Sequence, residues 1–137
     1  MTKIQRRTGE RHVIVKNSAG TISAGDAVQY DEAGEIIAAV TAKEVLGIAL
    51  EDATSSTTVT VDVLRPGDEC VFPIETGTMA AGEIGNEADL NSPDGLTLTE
   101  SNGDVVITDW DGVTTSQCFG VFKNLAHGSP GVNLQTT

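Results

Sequence analysis

The sequence has few residues of the kinds that enzymes and cofactor sites use. Its 137 residues include 2 histidines, 2 cysteines, 1 tryptophan, 1 tyrosine and 3 phenylalanines. His12 and His127 lie far apart in sequence, and there is no G-x-S-x-G motif, so a histidine-based triad is disfavoured. No G-x-x-x-x-G-K-[ST] or G-x-G-x-x-G motif offers a phosphate site. We therefore expect no catalytic residue and no cofactor.

The cysteines and loop acids do not form a metal-binding pattern. Cys70 and Cys118 have no C-x-x-C spacing and no neighbouring histidine, so we expect two buried thiols. The acids of residues 104–112 resemble a cation loop, but they do not follow the EF-hand spacing. A solvated turn with Trp110 packed inward is the better interpretation. The sequence therefore predicts no metal ion.

Long apolar runs are also absent. No stretch of about 18 apolar residues is present, and the N-terminus lacks the apolar core of a secretory signal. We therefore expect a soluble cytosolic product, unless the protein leaves as part of a particle, and no membrane partner. The length suits one domain. With 39% hydrophobic residues and few aromatics, the core must consist mainly of Val, Ile, Leu and Ala, which favours further burial in an oligomer.

Charge is distributed unevenly along the chain. Residues 1–16 hold five cations and one acid, a net of +4, so the other residues must carry −16 to give the overall −12. An acidic body repels phosphate backbones, so nucleic acid is not an expected partner. The basic arm is either a solvated terminus or a tether to an acidic protein surface, including that of a neighbouring subunit.

Strand signals recur along the chain, whereas helix signals are rare. In residues 57–64, three valines alternate with polar residues, which predicts a strand with one dry face and one wet face. About nine such segments, separated by short turns, predict a β-barrel or sandwich. Asn102-Gly103 predicts a hairpin between residues 96–99 and 104–108.

An internal repeat suggests duplication. The sequence G-T-I-S-A-G-D at residues 20–26 recurs as G-T-M-A-A-G-E at residues 77–83. We expect the third residue to enter the core, the second glycine to permit a bend and the acid to stay in water. A looser similarity pairs residues 46–50 with residues 119–123, where a glycine inside an apolar strand indicates a bulge or a close backbone approach. The predicted turn residues are Gly20, Gly25, Asp26, Gly77, Gly82 and Glu83.

Several of these elements together resemble the capsid cement, or head-decoration, proteins of tailed phages. They are the turn at residues 20–26, the segment 31–35, the L-G-I-A-L run within residues 45–53 and the V-T-V-D-V strand at residues 59–63. The resemblance extends over about residues 18–123. The insertion near residues 96–112 and the G-V-F-K sequence at residues 120–123 depart from the family pattern.

The sequence patterns and the resemblance together predict an all-β fold: a small β-barrel or β-tulip-like domain with internal pseudo-duplication, an extended N-terminal arm and little helix. The resemblance implies a homotrimer on the outer surface of the virion that clamps neighbouring major capsid protein subunits. It also implies that the arm extends a capsid sheet by strand addition. The expected divisions are a basic arm at residues 1–16, the decoration domain at residues 17–125 and a flexible or docking tail at residues 126–137. The candidate capsid-binding residues are Lys3, Arg6, Arg7, Arg11, Val13, Ile14 and Val15.

Two other classes of protein stay open. A receptor- or glycan-binding module of a virion fibre would display an exposed aromatic cluster. A carboxylate-only hydrolase would need a cleft with paired acids of perturbed pKa.

Because no core residue is apparent before Val13, we expect the arm to be disordered in the free protein and to become ordered on the capsid.

Overall fold

The computed structural model describes residues 3–40, 44–98 and 103–126. The regular secondary structure of these residues is β strand, apart from a single turn of 3₁₀ helix at Ala81–Glu83. None of the helical structure in these ranges is long and apolar enough to cross a membrane. The strands are β1 (Gln5–Arg6), β2 (Val13–Asn17), β3 (Ala27–Tyr30), β4 (Ile36–Ala38), β5 (Gly47–Ala49), β6 (Thr58–Val63), β7 (Cys70–Thr76), β8 (Glu87–Ser92), β9 (Gly95–Thr97), β10 (Val105–Asp109) and β11 (Gln117–Phe122).

The chain folds as two halves with the same strand order. In the first half the order is β2-β6-β5-β3-β4, and in the second half it is β7-β11-β10-β8-β9. In each half, therefore, the first strand pairs with the fifth, the fifth with the fourth, the fourth with the second, and the second with the third. The predictions of an all-β fold and of internal duplication are confirmed.

The second half closes into a barrel, and the first half nearly does. Strand β9 returns parallel to β7, which joins the two ends of the five-stranded sheet. In the first half, the corresponding parallel contact is a single bridge between Ser18, just after β2, and Ile36 at the start of β4. Strand β1 is an additional strand that pairs antiparallel with β7. The predicted β-barrel is thus confirmed: five strands form the closed ring, and β1 is an additional strand outside it.

The repeated heptapeptides occupy the same place in both halves, between the first and second strands. Ile22 and Met79 are each 1% exposed and enter the two core clusters, as predicted. Both turns contain the same hydrogen bond: the N–H of Asp26 donates to the Ser23 carbonyl, and the N–H of Glu83 donates to the Ala80 carbonyl, each at 3.0 Å. The two heptapeptides are therefore similar in structure as well as in sequence.

The two halves share one of their cores. The larger cluster contains residues of both halves, because β3 and β5 are buried on both faces. In this cluster Phe72 and Phe122 meet edge to face with their ring centroids 5.1 Å apart. The smaller cluster fills the first half and includes Val59 and Val61 of the alternating strand. The two halves therefore pack as a single body.

Three local expectations were wrong. The Asn102-Gly103 hairpin does not form, because β10 pairs with β8 and β11, while β9 pairs with β8 and β7; Asn102 itself lies outside the described residues. The looser similarity joins nonequivalent strands, since residues 46–50 contain β5 and residues 119–123 contain the end of β11. The wet face of β6 is not uniformly wet, because Asp62 is 1% exposed.

The glycines in β5 and β11 mark close backbone approaches, as predicted. A Cβ added at Gly47 would lie 2.0 Å from the Asp62 carbonyl oxygen, and one at Gly120 would lie 2.7 Å from that of Val106. Backbone atoms cannot move aside as the end of a flexible side chain can. Each of these two close contacts between neighbouring strands therefore requires glycine.

We predict that Gly47→Ala lowers the free energy of unfolding by about 2 kcal/mol or more, because the new methyl group collides with the β6 backbone. Denaturant titration measures the change. Gly20→Ala is the matched control: a Cβ there meets nothing within 4 Å, so the change should stay within about 0.5 kcal/mol. Equal effects of the two substitutions would contradict the packing described for β5.

Candidate interaction surface

Strand β2 has an open edge. It pairs on one side with β6, in a register in which Ile14 lies opposite Val61. The N–H of Val63 donates to the His12 carbonyl at 2.8 Å, which identifies a hydrogen-bonded pair. Antiparallel ladders alternate hydrogen-bonded and non-bonded pairs, so every second residue of β2 turns its backbone polar groups away from β6. The N–H and C=O groups of Val13 and Val15 therefore point to the outer edge of the strand.

Only the end of this edge is covered by the described part of the chain. Ala19 lies an even number of residues from Val13 and Val15, so its N–H also points away from β6. It donates to the Ile36 carbonyl at 2.9 Å. Strand β4 begins at Ile36 and leads away from this point, so it does not reach back along β2. Among the described residues, no hydrogen-bond partner meets the outward groups of Val13 and Val15.

The same two residues expose large apolar side chains. Val13 is 47% exposed and Val15 is 59% exposed, whereas Ile14 between them is half-buried and packs against the smaller core cluster. An exposed β-branched pair beside unpaired backbone groups is the arrangement that favours pairing with another extended segment.

Residues 3–6 of the arm are folded onto the protein itself. Ile4 is 1% exposed and belongs to the larger core cluster. The N–H of Ile4 donates to the Gly25 carbonyl at 3.2 Å. The expectation that no core residue precedes Val13 is therefore wrong, and so is the expectation of a disordered arm for residues 3–6, where Ile4 is buried and β1 pairs with β7.

Most of the arm cations pair with acids of the body. Lys3 lies 3.1 Å from Asp94 and 3.5 Å from Asp26, Arg7 lies 2.6 Å from Glu69 and 3.6 Å from Asp109, and Arg11 lies 3.6 Å from Asp62. Burial lowers the pKa of Lys3, but the hydrogen bonds and charges of its two aspartates more than offset this effect and raise it overall. For these cations, the acidic surface that the arm complements is that of the same chain.

Arg6 is the most deeply held of these cations. Its Nε and Nη2 donate to the two carboxylate oxygens of Asp62 at 3.0 and 2.8 Å, and its Nη1 lies 2.8 Å from Asp68. The Arg6 side chain is 8% exposed and that of Asp62 is 1% exposed. The hydrogen bonds to Asp62 raise the pKa of Arg6 above its ordinary value, against the cost of burial, and Asp68 adds to the rise. Because β1 lies on the second half and Asp62 lies in β6, this ion pair links the two halves.

The predicted turn residues have different roles. Gly25 has φ +88°, and a Cβ there would lie 2.4 Å from the Cβ of Lys3, so this bend requires glycine. Gly77 has φ +112°. Gly20 and Gly82 do not have positive φ; Gly82 lies in the 3₁₀ helix with Glu83.

Asp26 corrects the expectation that this acid stays in water. It is 7% exposed, and its carboxylate accepts the Ser23 N–H at 2.9 Å and faces Lys3. The carboxylate thus closes its own turn and holds the N-terminal segment in place.

The other groups with possible chemistry are engaged structurally. Cys70 and Cys118 are free and buried, as predicted, and burial raises the pKa of each thiol to about 12. The hydroxyl of Thr114, with the N–H groups of Thr114 and Val113, lowers the pKa of Asp111. In the part of the chain that the structure describes, no three His, Cys, Asp or Glu residues are grouped so that they could hold a metal ion.

The described residues form an all-β domain in which strand β2 has an open edge. A family model described as phage cement protein matches residues 6–65, which include all strands of the first half and the sequence elements that carry the resemblance. The predicted phage capsid cement or decoration family is thereby confirmed over these residues, and it supports a structural, capsid-stabilising role in the virion. Comparison with curated proteins found no match.

We predict that Arg6→Met lowers the free energy of unfolding by about 3–5 kcal/mol, because it leaves the buried Asp62 carboxylate without its main partner. Thermal or denaturant unfolding measures the loss. Lys123→Met removes the same charge from a half-exposed pair with Glu87 at 2.6 Å, so it should cost no more than about 1 kcal/mol. Similar losses in the two variants would contradict the linking role of Arg6.

Proposed function

We propose that this protein is a non-enzymatic homotrimer that binds the outer surface of a phage head and cements neighbouring major capsid protein subunits. The family match supports the capsid-stabilising role. The observation that carries the finer proposal is the open edge of β2, with Val13 and Val15 exposed beside backbone groups that have no partner among the described residues.

Strand addition is the binding mode that this edge supports. Hydrogen bonds between main chains supply the affinity in such complexes, and the side chains flanking the edge supply the selectivity. The hydrogen bonds to β6 hold β2 in an extended conformation. An incoming capsid segment would therefore meet a preformed strand. Val13 and Val15 would then lose solvent exposure together with the edge.

The charges near this edge differ from those of the rest of the arm. Lys3, Arg6 and Arg7 are committed to body acids. Arg11 keeps a side chain that is 59% exposed, and exposed Lys16 has no acidic partner within 4 Å among the described residues. These two cations flank the valines, so they favour a capsid segment that carries acidic residues beside an apolar pair.

Many weak contacts on one shell would reinforce each other. Each copy that binds through more than one contact gains from a high effective concentration, so a modest affinity per edge is enough for stable decoration. The chain has an overall charge of −12, and its acidic body supports neither nucleic acid nor an anionic membrane as a partner. Virion localisation follows from the family, whereas the outer surface and synthesis in the host cytoplasm are parts of this proposal.

A receptor- or glycan-binding module is less well supported. It requires an exposed aromatic cluster, but Phe72 and Phe122 are buried in the larger core. Tyr30 and Trp110 pack against the two cores, and the guanidinium of Arg7 lies 3.7 Å from the ring centroid of Phe119. All five aromatic side chains of the sequence are thus engaged within the protein.

We predict that the double substitution V13D/V15D weakens binding to expanded phage heads by at least about tenfold, because two carboxylates replace the apolar pair at the edge. Co-sedimentation with purified heads over a range of protein concentrations measures the affinity. Unfolding temperatures recorded in parallel show whether the variant keeps its fold.

The matched control is V40D/V113D, which makes the same change at two other valines that are 53% and 81% exposed. This variant should bind as the unsubstituted protein does. If V13D/V15D is folded and binds equally well, β2 is not the docking edge; if the unsubstituted protein ignores heads altogether, the proposed function is wrong.

A further inference from the structure

A cleft lies between the N-terminal arm and the sheet of the first half. Its volume of about 440 Å³ is within the range of roughly 300–1,000 Å³ that is usual for ligand pockets. Residues 3–6 and Arg11 form one wall. The other wall consists of the turn at residues 24–25, the end of β5 and Asp62 of β6. The folded arm and the first half therefore create this cleft together.

The cleft is on the same face of the sheet as the exposed valines of β2. Residues that lie opposite each other in a ladder share a face. Val13 lies opposite Asp62, and Asp62 lies opposite Ile48. Both Asp62 and Ile48 line the cleft. A partner that contacts Val13 at the edge of the sheet is therefore only one strand, about 5 Å, away from the cleft.

The lining of the cleft combines apolar and charged side chains. Residues 48–50 at the end of β5 supply Ile, Ala and Leu. The charged residues of the lining are Lys3, Arg6, Arg11 and Asp62. Three cations and one acid thus line a cleft in a chain whose overall charge is −12. This composition suits a ligand group with an apolar stem and an anionic end.

Arg6 has no donor left for such a group. A guanidinium has five N–H groups. In Arg6, the Nε and Nη2 atoms donate to the two oxygens of Asp62, and Nη2 also donates to the Val63 carbonyl at 3.0 Å. The Nη1 atom donates to the Thr8 carbonyl at 3.0 Å and lies 2.8 Å from Asp68. Arg6 and Asp62 therefore satisfy each other and form a fixed part of the wall.

Arg11 differs from the other two cations of the cleft. Its side chain is 59% exposed, and its Nε lies 3.6 Å from the Asp62 oxygen that already accepts the Nε of Arg6 at 3.0 Å. Arg11 donates no hydrogen bond to any described residue, whereas Lys3 pairs with Asp94 at 3.1 Å. The planar guanidinium of Arg11 is thus able to hold both oxygens of one carboxylate.

We propose that this cleft binds the carboxylate of an acidic side chain from a partner protein, and that Arg11 is the residue that holds it. The methylene groups of the acidic side chain lie against residues 48–50. A side chain is the occupant, rather than a free acid, because the cleft continues to the exposed valines and one protein segment can contact both. The assignment of that segment to the capsid rests on the proposed function, whereas the carboxylate site itself does not.

Titration of the free, full-length protein with a blocked glutamate, N-acetylglutamate N-methylamide, tests the site by NMR. We expect saturable shifts of the amide signals of Gly25 and Leu50, which line the cleft, and of the Nε–H signal of Arg11. The blocked glutamine has the same shape without the charge, so it should bind at least about tenfold more weakly.

Arg11→Gln should weaken the binding of blocked glutamate by a similar factor, at least about tenfold. The matched control is Arg65→Gln, because Arg65 is exposed and does not line the cleft; this variant should bind as the unsubstituted protein does. The absence of saturable shifts, or equal affinities of the R11Q and R65Q variants, would overturn the proposal.

Co-sedimentation with expanded heads tests whether the capsid supplies the carboxylate. R11Q should bind heads at least about tenfold more weakly than R65Q does. If the unsubstituted protein binds heads and the two variants bind equally well, the capsid does not fill the cleft, although the proposed function stands. If the unsubstituted protein ignores heads, the proposed function is wrong, and the titration still decides whether the cleft binds a carboxylate.

Discussion

The buried carboxylate of Asp62 places a demand on the rest of the fold. A charge that is 1% exposed needs a cation and further hydrogen bonds, and the N-terminal segment supplies both through Arg6. Meeting this demand places β1 against β7 and Ile4 in the shared core. Because β1 belongs to the second half and Asp62 to the first, this ion pair links the two halves and acts with the shared core to position the arm.

The duplicated topology explains why one edge is special. In each half, the first and third strands lie at the two ends of the sheet. The outer edges of these end strands can be paired with each other, which closes the ring, or covered by another segment. The second half does both, by pairing β9 with β7 and by accepting β1. The first half makes one bridge, at Ser18 and Ile36. The edge left over is the one that presents exposed valines, and it lies within the residues that match the phage cement proteins.

Local patterns predicted some features and missed others for identifiable reasons. The alternation at residues 59–63 and the repeat at residues 20–26 and 77–83 depend on neighbours in sequence, so they predicted β6, the buried Ile22 and Met79, and the duplication. Asn102-Gly103 carries a hairpin signal, but closure of the barrel assigns β9 and β10 to different partners. The burial of Arg6 depends on Asp62, 56 residues away, and no local pattern reveals that contact. A charge count along the arm left open a solvated terminus or a tether to an acidic protein surface, and it could not show that most of these cations pair with acids of the same chain.

The account rests on β2 as the edge that meets the capsid. Electron cryo-microscopy of expanded heads decorated with this protein would test it most directly. The account predicts trimers on the outer surface, each bridging neighbouring capsid subunits, with a capsid strand at hydrogen-bonding distance from the outward groups of Val13 and Val15. Decorated heads in which β2 faces solvent, while another surface of the protein contacts the capsid, would contradict it.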